Sequence, residues 1–160
     1  IGELKNKVET IEEEFATEIN IPVDAFIPDT YMEEPSQKLL TYKRLSKIRE
    51  TDALEDITEE LKDRYGDLPK PLKNLLEVIS LKIFLSKFKI RKVEHSAKQL
   101  VFHVTEHTPL NMKSILKLVK GDDGNRLKLL PDGRIIIETD KKAEELIFLT
   151  RNVLMEIVSM

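Results

Sequence analysis

The spacing of apolar residues changes near residue 20, where a charged segment gives way to an alternating one. Residues 1–19 hold few large apolar side chains among many glutamates and lysines, which is typical of a connection between domains. Residues 20–27 place an apolar group at every second position, which predicts a strand that Pro22 keeps near a sheet edge. We therefore expect a linker over residues 1–19 and a folded domain over residues 20–160.

Three helices are predicted in the next part of the chain. Apolar groups at helical spacing predict a first helix over residues 34–49 and a second over residues 53–65. Gly66 stands where a helix favours a residue of positive φ. The third helix, over residues 71–88, has only a narrow polar strip, so we expect it to be buried on most sides and to form the centre of the fold.

The second half of the chain alternates short β-like runs with two further helices. Turn residues between the runs predict two β-hairpins. The hairpins are predicted over residues 91–105 and 126–138, and the helices over residues 109–120 and 141–158. The fold class is therefore α/β, of the α+β type, with several helices packed around the long third helix and with short β-hairpins.

The composition indicates a folded domain without bulk attraction for nucleic acid. Hydrophobic residues make up 41% of the chain, and 26 basic against 29 acidic side chains give a formal net charge of -3. The absence of cysteine excludes disulfides and thiolate zinc sites. Without a long apolar run or a signal peptide, we expect a cytoplasmic protein that does not contact the membrane. Because the chain begins at Ile1, we expect it to be part of a longer protein.

The motifs of an active site are missing from the sequence. There is no GxxxxGK[ST] phosphate-binding string, and the glycine-rich GDDGNR is interpreted as a polar turn. His95, His103 and His107 lack the helical HExxH arrangement of a zinc site and are interpreted as surface residues. We predict no catalytic, cofactor-binding or metal-ligating residue.

Two basic clusters leave a nucleic-acid-binding function open. Their positions, interleaved with Tyr42 and Phe88, suit contact with a phosphate backbone. The alternative is that these cations are solvated heads beside buried helices. The clusters are Lys43, Arg44 and Lys47, and Lys87, Lys89, Arg91 and Lys92.

The second predicted helix carries a row of carboxylates, which we call the acidic ridge: Asp56, Glu60 and Asp63. Because the apolar residues of this helix must turn inward, the ridge is expected on an exposed face. These apolar residues are Leu54, Ile57 and Leu61. The ridge is either a solvated helix face or a contact surface for a partner with lysines and arginines.

Four segments between Ile21 and Lys92 resemble the C-terminal domain of bacterial transcription-repair coupling factors. They are IPVDAFIPDTY, KLLTYKRL, ITEELKDRYGDLP and NLLEVISLK, and ELKDRYGDLP is the most specific of them. Tyr65 stands where members of that family often have phenylalanine. The resemblance implies a large parent, an ATP-dependent DNA translocase that removes stalled RNA polymerase and recruits nucleotide excision repair. Residues 1–19 would connect this domain to the preceding helicase region.

The resemblance also implies a regulatory function without catalysis. In this family the domain packs on an N-terminal module that resembles the excision-repair helicase subunit, and it hides the surface that binds the damage-recognition protein UvrA. The implied contact falls on ELKDR, with Glu60 and Asp63 as acidic contacts, and we assign Asp56 and Arg64 to the same surface. UvrA, RNA polymerase and DNA are then indirect partners. An accessory nucleic-acid-binding module and a structural spacer are the alternatives.

Overall fold

A computed structural model describes residues 17–120 and 127–159 of the chain. The chain divides into two compact units. The helical unit comprises Pro22–Ile83, and the sheet unit comprises the described parts of residues 1–21 and 84–160. Helices and a five-stranded sheet together confirm the α/β fold class. None of the described helices combines the length and the apolar character that crossing a membrane requires.

The helical unit contains three helices, as the apolar spacing predicted. Helix α1 spans Pro35–Ser46, α2 spans Thr51–Tyr65, and α3 spans Lys70–Lys87, of which the helical unit includes the part up to Ile83. Their inward faces form one core, which excludes apolar surface from water and stabilises the unit. The buried members are Ile27, Met32, Leu45, Leu54, Ile57, Leu61, Leu72, Leu76 and Ile83. The predicted burial of the third helix is confirmed, because Leu72, Leu81 and Leu85 expose no surface.

The strand predicted over residues 20–27 is wrong beyond Asn20. Residues 21–25 have the alternating exposure of a strand but pair with none of the described strands. Instead of a neighbouring strand, a side chain hydrogen-bonds to this backbone: the Asn74 amide donates to the Asp24 carbonyl at 3.0 Å. The segment is therefore extended backbone that the Asn74 side chain holds in place. Any extended chain places alternate side chains on opposite sides, so the alternation of apolar groups does not by itself show that a strand pairs in a sheet.

Within the described residues, the sheet unit contains five strands in the order β1-β2-β3-β5-β4. The strands are β1 Glu18–Asn20, β2 Lys92–Ser96, β3 Gln99–His103, β4 Leu127–Leu129 and β5 Arg134–Glu138. Strand β1 pairs parallel to β2, and all other pairs are antiparallel. The two predicted hairpins are β2–β3 and β4–β5, and the pairing of β3 with β5 joins them.

The linker prediction is only partly accessible in the structure. Residues 1–16 lie outside the described residues, and over this range the linker stays a prediction. Glu18 and Ile19 belong to β1, and the Thr17 hydroxyl donates to the Ile90 carbonyl at 2.6 Å. The end of the predicted linker is therefore part of the sheet unit.

Two of the described helices accompany the sheet, α4 at Met112–Lys120 and α5 at Glu144–Ile157. Helix α4 contacts both α5 and β4. One face of the sheet supplies the buried side chains Val93, Leu100, Phe102, Ile135 and Ile137. On α5 the buried apolar residues are Leu146, Ile147, Val153, Leu154 and Ile157.

The opposite face of the sheet carries a polar network at β1, β2 and β3. Lys92 Nζ lies 2.9 Å from a Glu94 carboxylate oxygen and 3.9 Å from one of Glu18. The hydrogen bond from Lys92 holds the pKa of Glu94 below its ordinary 4.5, although partial burial raises it. The same hydrogen bond raises the pKa of Lys92.

We expect the Glu94→Gln variant to lose less stability on acidification than the unmodified chain. Because the pKa of Glu94 is lower in the folded state, its stabilising effect is present above the unfolded-state pKa and is lost as the pH falls through the folded-state pKa. Urea unfolding at about pH 5 and about pH 3 measures the difference. Glu156→Gln on the exposed surface of α5 is the control. Equal acid sensitivity of the Glu94→Gln variant and the unmodified chain would contradict this assignment.

Candidate functional site

The acidic ridge lies on the exposed face of α2, as predicted. Asp56, Glu60, Asp63 and Arg64 are all exposed. The opposite face of the helix enters the core of the helical unit, where Leu54, Ile57 and Leu61 are 7%, 3% and 3% exposed. The side-chain charges of this surface therefore face solvent, while the position of the helix is fixed by burial of its apolar stripe.

The C-terminal end of α2 is held by Tyr31. The Tyr31 hydroxyl lies 3.0 Å from the Leu61 carbonyl and 2.8 Å from the Gly66 carbonyl, and it shares its proton between them. Burial, reinforced by the Asp67 carboxylate, raises the pKa of Tyr31. Gly66 ends the helix with φ +92°, the conformation for which glycine was expected there. These contacts fix the last turn of α2, which carries Asp63 and Arg64.

Glu60 has an ion-pair partner that the sequence did not identify. Arg44 on α1 places a guanidinium nitrogen 2.6 Å from a Glu60 carboxylate oxygen, with both side chains about half exposed. Among the described residues, Asp56 and Asp63 have no ion-pair partner. The ridge thus presents two unpaired carboxylates and one that already shares its charge with Arg44.

Arg64 borders a surface cavity beside the ridge. Its guanidinium carbon lies 5.5 Å from the centre of the Tyr65 ring, within the range of a cation–π contact. The Tyr65 and Tyr31 rings are 5.6 Å apart between centroids. The cavity has a volume of about 440 Å³, and its lining includes Tyr31, Glu33, Glu34, Gln37, Arg64 and Tyr65. A partner side chain has room to enter beside Arg64.

The two basic clusters are only partly available for a phosphate backbone. Arg44 in the first cluster is paired with Glu60, and Lys92 in the second is paired with Glu94. Lys43 and Lys47 are exposed. One cation of each cluster is therefore already neutralised by a carboxylate in its own unit.

The histidines are placed differently from the sequence-based expectation. Only His107 is exposed, whereas His95 and His103 are half-buried because they lie in β2 and β3. The Nε2 atom of His95 has no hydrogen-bond partner in the described structure, and that of His103 lies 3.7 Å from a Glu94 carboxylate oxygen. Nowhere in residues 17–120 and 127–159 do three His, Cys, Asp or Glu residues gather in a way that could hold a metal ion. The GDDGNR turn lies outside the described residues.

Comparison with known proteins gives the family. The family model of the TRCF domain matches residues 21–115, more than half of the chain. This chain belongs to the TRCF domain family. The resemblance inferred from ELKDRYGDLP is thereby confirmed.

Curated relatives of this TRCF domain are far longer than the chain itself. The transcription-repair-coupling factor of Myxococcus xanthus is 31% identical over 126 residues, which are 79% of the chain and 10% of that protein. The transcription-repair-coupling factor of Escherichia coli K12 is 30% identical over 123 residues, 72% of the chain and 11% of that protein. The chain therefore spans about a tenth of the length of these relatives.

The fold of this TRCF domain is also found in a solved structure. The crystal structure of the C-terminal domain of a transcription-repair coupling factor matches with a TM-score of 0.72 and 21% sequence identity. The match covers 88% of this chain and 89% of that chain. Nearly the whole of both chains therefore shares one fold.

Proposed function

We propose that this TRCF domain is a non-catalytic regulatory domain of a transcription-repair coupling factor. The acidic ridge and Arg64 pack on the N-terminal module of the parent, which resembles the excision-repair helicase subunit, and this contact masks the surface that binds UvrA. Engagement of stalled RNA polymerase on DNA by the parent, an ATP-dependent translocase of the bacterial cytoplasm, releases the contact. The domain needs no metal or cofactor for this function.

The observation that supports the proposal is that the two faces of α2 differ: one face is buried in the core, and the other carries the exposed acidic ridge. Its apolar face is fully used within the core, so the charges of Asp56 and Asp63 are not needed to hold the fold. Carboxylates three and four residues apart on a helix repel one another mildly. A partner surface with arginines or lysines relieves this repulsion and gains charge-assisted hydrogen bonds.

Masking operates through a shift between closed and open states of the parent. Interdomain ion pairs with some apolar contact hold a closed state by a few kcal/mol, which keeps the open state minor. RNA polymerase and DNA release the UvrA-binding surface only if they bind the open state more tightly than the closed one. No bond is made or broken in this switch.

We expect the Arg44→Ala variant to bind the rest of the parent more tightly than the unmodified domain. Arg44 places a positive charge beside Glu60, where a basic partner would otherwise pair. Its removal relieves like-charge repulsion and leaves the Glu60 carboxylate free for the partner. An exposed pair of this kind contributes about 0–1 kcal/mol, which corresponds to an affinity gain of up to about fivefold. A binding titration of the domain against the rest of the parent, supplied in trans, measures it.

Lys43→Ala is the matched control, because Lys43 is an exposed cation on the same helix without a carboxylate partner among the described residues. Its effect on the titration should be smaller. An unmodified domain that does not bind the rest of the parent contradicts the proposed function. Sub-micromolar binding of the domain to duplex DNA, weakening steeply with salt, would instead favour the nucleic-acid-binding alternative.

A further inference from the structure

A groove with a volume of about 410 Å³ lies between α2 and α3, within the helical unit. It is lined by residues between Thr51 and Glu59 of α2 and between Lys73 and Ser80 of α3, and each helix contributes residues at the spacing of one helical face. The lining residues of α2 all differ from those of the acidic ridge. The groove is therefore a second surface of α2, distinct from the surface that carries the ridge.

The floor of the groove is apolar. Leu54 and Leu76 are each 7% exposed and belong to the core of the helical unit. Leu68, from the connection between the two helices, is half-buried and packs against the same core. The groove thus reaches the outer edge of the core, so an apolar group that enters it is removed from water.

The rim of the groove is mainly acidic. Its charged residues are Glu55 and Glu59 of α2, and Lys73 and Glu77 of α3. Glu55 and Glu59 are exposed and lie one helical turn apart. Within residues 17–120 and 127–159, Glu55 has no ion-pair partner, and Glu59 pairs with Lys62 at 3.6 Å. The rim therefore presents carboxylates that a cation of a partner can neutralise.

The wall of the groove adds a hydrogen-bond acceptor to these carboxylates. The Thr58 hydroxyl donates its proton to the Leu54 carbonyl at 2.7 Å, so its oxygen can only accept a further hydrogen bond. Arginine matches this combination, because its methylene stem packs on apolar surface while its guanidinium has five N–H donors and no acceptor. The planar guanidinium also pairs with carboxylates through two parallel hydrogen bonds, which a lysine ammonium cannot do.

We propose that this groove is a docking site for an arginine side chain carried by a segment of a partner protein. The methylene groups of the arginine lie on Leu54, Leu68 and Leu76, and its guanidinium pairs with Glu55 and Glu59. Apolar residues beside the arginine in the partner segment cover the rest of the floor. This inference goes beyond the proposed function and does not depend on it, because the groove and the acidic ridge share no residue.

A nuclear magnetic resonance titration of the isotope-labelled chain tests the site. The probe is the blocked pentapeptide acetyl-Ala-Leu-Arg-Leu-Ala-amide, and its counterpart carries glutamine in place of arginine. We expect saturable shifts of backbone amides within residues 51–59 and 73–80, and an affinity for the arginine peptide about tenfold or more above that for the glutamine peptide, which lacks the charge. Equal affinities, shifts centred elsewhere or the absence of saturable shifts would each overturn the proposal.

Charge reversal of the rim, by Glu55→Lys with Glu59→Lys, should weaken binding of the arginine peptide about tenfold or more, because two attractive contacts become repulsive. The matched control is Asp56→Lys with Asp63→Lys, which changes the net charge of the same helix equally but alters exposed residues outside the groove. At about 0.15 M salt, which screens exposed charges that are not in contact, the control should weaken binding about twofold or less.

The comparison of the two double variants also separates the groove from the acidic ridge. An equal loss of affinity in both would overturn the docking site, because it would mean that α2 attracts cations along its whole length. All four substituted side chains are exposed, so circular dichroism should show an unchanged helix content. Failure of the groove would leave the masking contact of the ridge unaffected, since that contact is measured by UvrA binding to the parent.

Discussion

Reversing the charge of Glu60 and Asp63, by Glu60→Lys with Asp63→Lys, is expected to raise UvrA binding by the intact parent about tenfold or more in the absence of RNA polymerase. On a basic partner surface, two attractive contacts become repulsive, and like-charge juxtaposition at an interface costs several kcal/mol. The gain in UvrA binding cannot exceed the free energy that held the closed state, and a tenfold gain reports about 1.4 kcal/mol of lost closure. A pull-down titration with purified UvrA measures it.

The fold should tolerate this double variant. Both side chains are exposed, and the stripe that anchors α2 is untouched. Loss of the Arg44–Glu60 pair removes about 0–1 kcal/mol, the usual contribution of an exposed ion pair. Lys43→Glu with Lys47→Glu, also exposed, is the control and should change UvrA binding less. If the charge-reversed double variant folds but its parent binds UvrA no better than the unmodified one, the proposed masking surface is wrong.

The Leu61→Ala variant is expected to destabilise the helical unit by about 3 kcal/mol, because it removes apolar contacts and leaves a cavity in a packed core. Leu61 is 3% exposed and belongs to the cluster that joins all three helices of this unit. Its carbonyl still accepts the Tyr31 hydrogen bond after the change, so the loss reports packing alone. Urea unfolding followed by circular dichroism measures the difference in free energy.

Lys62→Ala, at the next position of the same helix, is the matched control. Lys62 is exposed, and its Nζ lies 3.6 Å from a Glu59 carboxylate oxygen in a surface ion pair. Because such a pair contributes little, the change should lower the free energy of unfolding by less than about 0.5 kcal/mol. A cost for Leu61→Ala below about 1 kcal/mol would mean that the inner face of α2 is not packed as described.

The helices and hairpins could be predicted because their signals are local. The stripe of Leu54, Ile57 and Leu61 repeats within one helix, and it predicts the buried face and the exposed ridge together. The turn between β4 and β5 is encoded in three consecutive residues, and Gly133 adopts φ +89° there. In each case the residues that determine the element lie inside or next to it.

The features that sequence reasoning missed depend on residues far apart in the chain. Strand β1 is only three residues long, and its partner β2 begins at Lys92, far along the chain. A local sequence pattern therefore does not predict their pairing. The segment after β1 alternates like a strand, but the Asn74 side chain satisfies its backbone in place of a neighbouring strand. The Arg44–Glu60 ion pair needs the relative placement of α1 and α2, which hydrophobic spacing does not give. For the candidate site, the exposure of the acidic ridge could therefore be predicted from the sequence. The pairing of Glu60 with Arg44 could not.

The parallel pairing of β1 with β2 sets an order for the folding of the chain. Residues 21–91 separate the two strands, and this interval contains the whole helical unit. Closing so long a loop costs conformational entropy before the hydrogen bonds between β1 and β2 can stabilise the pair. Strand pairs that are far apart in the sequence therefore form late. During synthesis the N-terminal part of a chain emerges first, and the helical unit has all of its core residues before β2 is complete. Strand β1, the first of these five strands to leave the ribosome, must therefore stay unpaired until the helical unit has been made.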